Sequence, residues 1–129
     1  MSHYALCRTS IKNPSKSLLR SVLSKIATSL NAKVIENAEV YGWGFSRRVD
    51  FLIKMKLPFG NGYGVEVTDS GEVVIHVDDH GAPMTGKQFR ELLQREYMAE
   101  AVKAVMEELG YVVEEDRSKD AVIIKAVGW

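Results

Sequence analysis

With 129 residues, 46% of them hydrophobic, the chain is long enough and apolar enough to bury a core, and a single domain over residues 1–129 is expected. Seventeen basic side chains against seventeen acidic ones exclude a global field that would draw the protein to nucleic acid or an anionic membrane. One cysteine, Cys7, excludes an intrachain disulfide; no apolar run reaches membrane-spanning length and Ser2-His3 does not begin a signal peptide, so a cytoplasmic protein without membrane contact is expected.

His3 to Thr9 reads as a first strand, with Tyr4, Leu6 and Arg8 on one side and Ala5 and Cys7 on the other. Cys7 is expected to pack as a small apolar residue. Asn13-Pro14 predicts a helix start, Asn13 as cap and Pro14 at the first helical position, where its missing donor costs nothing. Leu18, Leu19, Val22, Leu23, Ile26, Ala27 and Leu30 then form one broad apolar face to lie on a sheet.

Ala32 to Glu36 predicts a short strand, and Asn37 to Gly44 an irregular connection. In Tyr41-Gly42-Trp43-Gly44-Phe45 glycines alternate with aromatics, which suits a bend at a sheet edge whose rings cover the core better than a platform for stacking bases. From Phe45 to Leu57 the alternation is that of a half-buried strand. Phe45, Val49, Phe51, Ile53, Met55 and Leu57 take one side, and Arg48, Asp50, Leu52, Lys54 and Lys56 the other. Arg47 falls on the apolar parity, so it lies beyond the core or a bulge shifts the register. Leu57 to Gly62 is a second expected irregular connection.

Tyr63 to Asp78 predicts a hairpin whose register follows from parity. Opposite residues share a face, and only a three-residue loop of Asp69, Ser70 and Gly71, pairing Thr68 with Glu72, keeps Tyr63, Val65 and Val67 with Val73, Ile75 and Val77. Gly71 then takes the left-handed position. Glu66 is set opposite Val74, and His76 opposite Gly64, on the face away from the helices.

Thr85 to Leu109 predicts the longest helix, opened by a capping box of Thr85 and Gln88 and closed by Gly110. Phe89, Leu92, Leu93, Tyr97, Ala101, Ala104 and Leu109 recur as a core face, and Met98, Val102 and Met106 widen it, as on a helix deeply seated on a sheet. Tyr111 to Glu115 and Ala121 to Val127 are two final strands joined around Asp116 to Asp120. The last has Val122 and Ile124 on one side and Ile123 and Val127 on the other, so it is not expected at an edge facing water. The class is α+β in the order β-α-β-β-β-β-α-β-β, an antiparallel sheet with both helices packed on one face.

The opening Met1-Ser2-His3-Tyr4, Asp50-Phe51-Leu52-Ile53, Tyr63-Gly64-Val65, Leu93-Gln94-Arg95-Glu96-Tyr97, Gly110-Tyr111-Val112-Val113-Glu114-Glu115 and terminal Trp129 occur in an order that spans nearly the whole chain. Together they resemble the hypothetical chloroplast open reading frame thirty-five family of cyanobacterial and plastid genomes, a domain of unknown function with relatives in bacteria, archaea and their viruses. The chain departs where such relatives carry a tryptophan-rich segment after the hairpin, since it has Val77-Asp78-Asp79-His80-Gly81. The resemblance implies a class and no catalytic residues.

Three constellations carry candidate chemistry. His76, Asp78 and His80, in a run with Asp79, are the residues with metal-ligand spacing, and would make the protein a small metal-dependent enzyme if they converged. A polar strand end and a helix-leading loop, where Asp and His are ordinary, are the preferred account of them, and no cofactor is implied. Arg47, Arg48, Lys54 and Lys56, near Tyr41 and Trp43, are candidates for a phosphate backbone in a nucleic-acid-binding module, weighed against Asp50 and Glu66 on the same sheet. Cys7 lacks a local base and no serine sits in a nucleophile-elbow pattern. Glu107-Glu108 and Glu114-Glu115 diverge as neighbours do on helix and strand.

Two helices cover one side of a sheet, and parity leaves Leu52, Val74, Ile123 and Val127 pointing the other way. The leading expectation is therefore a non-enzymatic interaction module that meets itself through those four residues as a homo-oligomer, a dimer first, or meets another protein. The alternative is that Trp129, the Tyr41 to Phe45 loop or a bulge caps them within one chain.

Overall fold

A computed structural model describes residues 3–118 and 121–127; Met1, Ser2 and Trp129 of the family resemblance, and Lys119 and Asp120 of the last loop, lie outside the described residues. The element order is the expected one: β1 Tyr4–Lys12, α1 Lys16–Ser29, β2 Lys33–Gly42, β3 Phe45–Leu57, β4 Gly60–Val67, β5 Glu72–Asp78, α2 Gly86–Glu108, β6 Val112–Arg117 and β7 Val122–Val127. All pairings are antiparallel. β1 pairs with β5, β5 with β4, β4 with β3 and β3 with β2, while β6 and β7 make a separate two-stranded sheet.

The β4–β5 hairpin has the register that parity dictates, with Gly64 opposite His76 and Glu66 opposite Val74. Thr68 donates its amide to Glu72 at 2.9 Å, and Gly71 closes the loop at φ +84°, where a side chain is strained. α1 starts two residues later than expected. Asn13 is held in a left-handed turn by its amide bond to Gly71 at 2.7 Å, so Ser15 caps α1 by accepting from the Leu18 amide. Thr9 serves the register shift near the end of β1, donating its hydroxyl to Val73 and accepting from the Ile11 amide.

Both helices lie on one face, over Phe51, Ile53, Val65, Val73, Ile75 and Val77. Leu19, Val22, Leu23, Ile26 and Ala27 of α1 fill that core, as do Phe89, Leu93 and Tyr97 of α2. Buried Tyr63 stacks on Phe89 with ring centroids 4.7 Å apart and donates its hydroxyl to the Met84 carbonyl at 2.8 Å.

The other face is also covered, by the chain itself. β2 and β3 are both long, and the irregular stretches expected from 37 to 44 and from 57 to 62 shrink to turns at Trp43-Gly44 and Pro58-Phe59. At Asn37, which has φ 49°, the β2–β3 ribbon turns, and its far half lies over the sheet. Val40, Val49 and Leu52 form a second core there, flanked by Ala38 and Phe45. The contact is so close that a Cβ on Gly64 would stand 2.7 Å from Val40 Cγ1. Gly42 at the end of β2 reaches round to bridge Gly60 of β4.

Leu52 and Val74 do point away from the helices, as parity requires, but they are only 3% and 5% exposed. Ile123 and Val127 are exposed on the separate β6–β7 sheet. The four expected interface residues therefore form no common patch. The folded-over ribbon is the physical reason: Val40 and Val49, with Ala38 and Phe45, supply the cover within one chain.

The end of α2 departs as well. Leu109 and Ala104 are exposed rather than core, because the helix runs on past the sheet and its last turns meet the β6–β7 hairpin. No helix among the described residues is long and apolar enough to cross a membrane.

Candidate functional site

The polar run that suggested a metal site is a structural clamp. β5 turns His76 and Asp78 to the covered face, where both are buried. His76 Nδ1 lies 2.7 Å from the Tyr4 hydroxyl and Nε2 lies 2.8 Å from Glu66 Oε1. An ionised carboxylate only accepts, so Nε2 carries a proton toward Glu66. Glu66 also accepts from Arg47 Nη2 at 3.0 Å. Burial pushes the Glu66 carboxyl up, yet the hydrogen bonds and charges of Arg47 and His76 outweigh it and hold the group below the ordinary carboxylate range. Tyr4, its ring stacked on Phe45 at 4.1 Å, has its hydroxyl pushed up by burial, with Arg47 opposing and Glu66 adding, so it is not an activated nucleophile.

Asp78 ties three separated segments together, accepting from the amides of His3 at 2.8 Å, Trp43 at 3.2 Å and His80 at 3.4 Å. Asp79 meets His3 Nδ1 at 2.6 Å and accepts from the Gly86 amide at 2.6 Å, which puts a carboxylate on the positive N-terminal end of α2. The His80 ring instead tilts against Phe59 at 5.2 Å. His76, Asp78 and His80 thus diverge, with both imidazole nitrogens of His76 already engaged. Among the described residues no group of three or more His, Cys, Asp or Glu is placed to hold a metal ion.

The basic candidates separate in the same way. Arg47 is paired with Glu66, and Arg48, opposite Glu39, donates to the Asn37 carbonyl at 3.0 Å. Lys54 and Lys56 are exposed farther along β3, with Lys54 opposite Lys33. Six residues of strand, roughly 20 Å, separate the first and second pairs.

Two surfaces are apolar and open. Tyr41, Gly42, Trp43 and Phe59 line a shallow hollow of about 340 Å³ at one end of the five-stranded sheet. Trp43 is 69% exposed and Tyr41 is exposed too, so of the aromatics in this stretch Phe45 alone packs against the core. The backbone under the rings is fixed: Trp43 donates to Asp78, and Tyr41 to the Asn61 side chain at 2.9 Å.

The second surface is on α2. Met98, Val102, Val105 and Leu109 are 40% to 66% exposed and follow one another at spacings of four, three and four. At about 100° per residue this stripe lies on the side of the helix opposite Phe89, Leu93 and Tyr97. Val102, Val105 and Leu109, with Ala101 and Met106, line an almost wholly apolar hollow of about 420 Å³. On one flank β7 brings Val122 and Ile124 to Met98 and Val102, and on the other α1 brings Leu18 to Ala101 and Val105.

No family model, curated protein or solved structure matches this chain.

The residues missed in the sequence are those of the α2 stripe. By periodicity Leu109 reads with the core side and Val105 with neither, although the four-three-four spacing that sets them apart is present in the sequence.

Proposed function

We propose that the protein is a non-enzymatic interaction module that associates with itself through the outward stripe of α2, flanked by Val122 and Ile124 of β7. What supports it is the exposure of Met98, Val102, Val105 and Leu109 on the side of α2 turned away from the core. A surface helix with one apolar face needs no partner; a second apolar stripe facing water does. A half-exposed Met, Val or Leu gains about 1 kcal/mol on full burial, so four from each copy supply roughly 8 kcal/mol. Against the ~4–15 kcal/mol cost of association the stripe alone leaves at most about 4 kcal/mol, a Kd of about 1 mM, so pairing at tens of micromolar also draws on burial of the flanking Leu18, Val122 and Ile124. The family resemblance stays a proposal beside this one and names no residue that would change it.

Sedimentation equilibrium tests the proposal. A dimer is expected at tens of micromolar, and Val102→Asp with Val105→Asp should give a monomer with unchanged helical signal. A wild-type monomer at that concentration overturns it.

A second reading, a nucleic-acid-binding module, is favoured by the Tyr41, Trp43 and Phe59 hollow, since aromatic stacking is worth about 1–3 kcal/mol per base. Against it, Arg47 is occupied by Glu66 and the lysines stand apart.

A further inference from the structure

We propose that two copies pair their α2 helices antiparallel, about a twofold axis passing between Val102 and Val105, an inference that rests on the self-association proposed above. The spacing of Met98, Val102, Val105 and Leu109 is the same from either end, so the twofold sets Met98 against Leu109 of the second copy and Val102 against its Val105. Charge decides between the two directions. The same spacing continues toward the N-terminus through Arg95 and Glu91. A parallel pair in register would face Arg95 with Arg95 and Glu91 with Glu91, and would align both helix dipoles.

The antiparallel pair removes each of those clashes. The last turn of α2 has no basic residue of its own, so its negative end lacks a compensating charge. Antiparallel pairing brings Arg95 of one copy within a turn of that end on the other, and Arg95 is only loosely tied at home, 3.9 Å from Glu96. Shape agrees with charge. Leu109, the most exposed residue of the stripe, meets an open hollow of about 530 Å³ lined by Glu91, Gln94, Arg95 and Met98.

Disulfide trapping in the full chain, on a Cys7→Ser background, tests the direction. In the antiparallel pair Met98 of one copy is about 16 Å along the axis from Met98 of the other, but beside its Leu109. A Met98→Cys copy mixed with a differently tagged Leu109→Cys copy should oxidise to the mixed-tag dimer, while Met98→Cys alone should stay largely uncrosslinked. Rapid crosslinking of Met98→Cys alone would establish the parallel pair and overturn the inference. A dimer by sedimentation with no crosslink in either arm overturns it too, and moves the interface off α2. A monomer in every arm overturns both this inference and the self-association beneath it.

Discussion

Placing one methyl group on Gly64 probes the covering of the second sheet face. Gly64 stands between Leu52 and His76, and its Cβ would lie 2.7 Å from Val40 Cγ1, 2.8 Å from Val40 Cβ and 3.0 Å from Val49 Cγ1. Both neighbours are buried and β-branched, so neither has a free rotamer into which to retreat. Gly64→Ala is therefore expected to cost about 1–3 kcal/mol by overpacking. Val40→Ala alone costs about 1–3 kcal/mol for its lost methyl groups and the space they leave. In the double variant the Val40 Cγ1 contact is gone while the Val40 Cβ and Val49 Cγ1 contacts remain, so the loss should be smaller than the sum of the two by about 1 kcal/mol. Urea unfolding read at constant slope measures all three variants, and each kcal/mol should also lower Tm by roughly 3–5 °C for a chain of this size. An unchanged midpoint for Gly64→Ala, or strict additivity in the double variant, would falsify the folded-over ribbon and return Leu52 and Val74 to solvent.

Two further predictions concern the clamp and the charges around it. The depressed Glu66 carboxyl contributes stability above its unfolded pKa of about 4.3, and that contribution is lost as pH falls through the lower folded value. Glu66→Gln should therefore flatten the loss of stability between about pH 5 and pH 3, and urea midpoints that still fall as steeply as wild type would remove Glu66 from the account. Single-stranded oligonucleotide should be held weakly at low salt and released at physiological salt, because few phosphates can be neutralised. Tight retention at physiological salt, abolished by Arg47→Ala with Arg48→Ala, would refute this.

Element order and the β4–β5 register were legible because they depend on local rules. Thr85 and Gln88 make the capping box, and Gly71 sits where a three-residue loop needs it. Which way Leu52 and Val74 point was legible too. What covers them was not, since parity gives direction within a sheet and says nothing of a ribbon that turns at Asn37 and returns over it. The His76 run failed as a metal site for a similar reason. Its partners Tyr4 and His3 come from the start of the chain, far away in sequence, while Glu66 lies across the hairpin, and each one takes an atom that a metal would need. On α2 two apolar stripes on opposite sides merge in a linear reading, so Leu109 reads with Phe89 although half a turn separates their directions.

α2 begins beside the aromatic hollow and ends at its outward stripe: Asp79 and His80 link Phe59 to the first turn, and 23 residues follow. At ~1.5 Å per residue, the helix from Gly86 to the middle of the stripe holds the two surfaces about 26 Å apart. Copies joined by their stripes would therefore carry their hollows at the far ends of a common rod. A short ligand would fill one hollow with no gain from the other. A strand or repeating chain long enough to reach both would meet the second at high effective concentration, so that length rather than composition would set how tightly it is held.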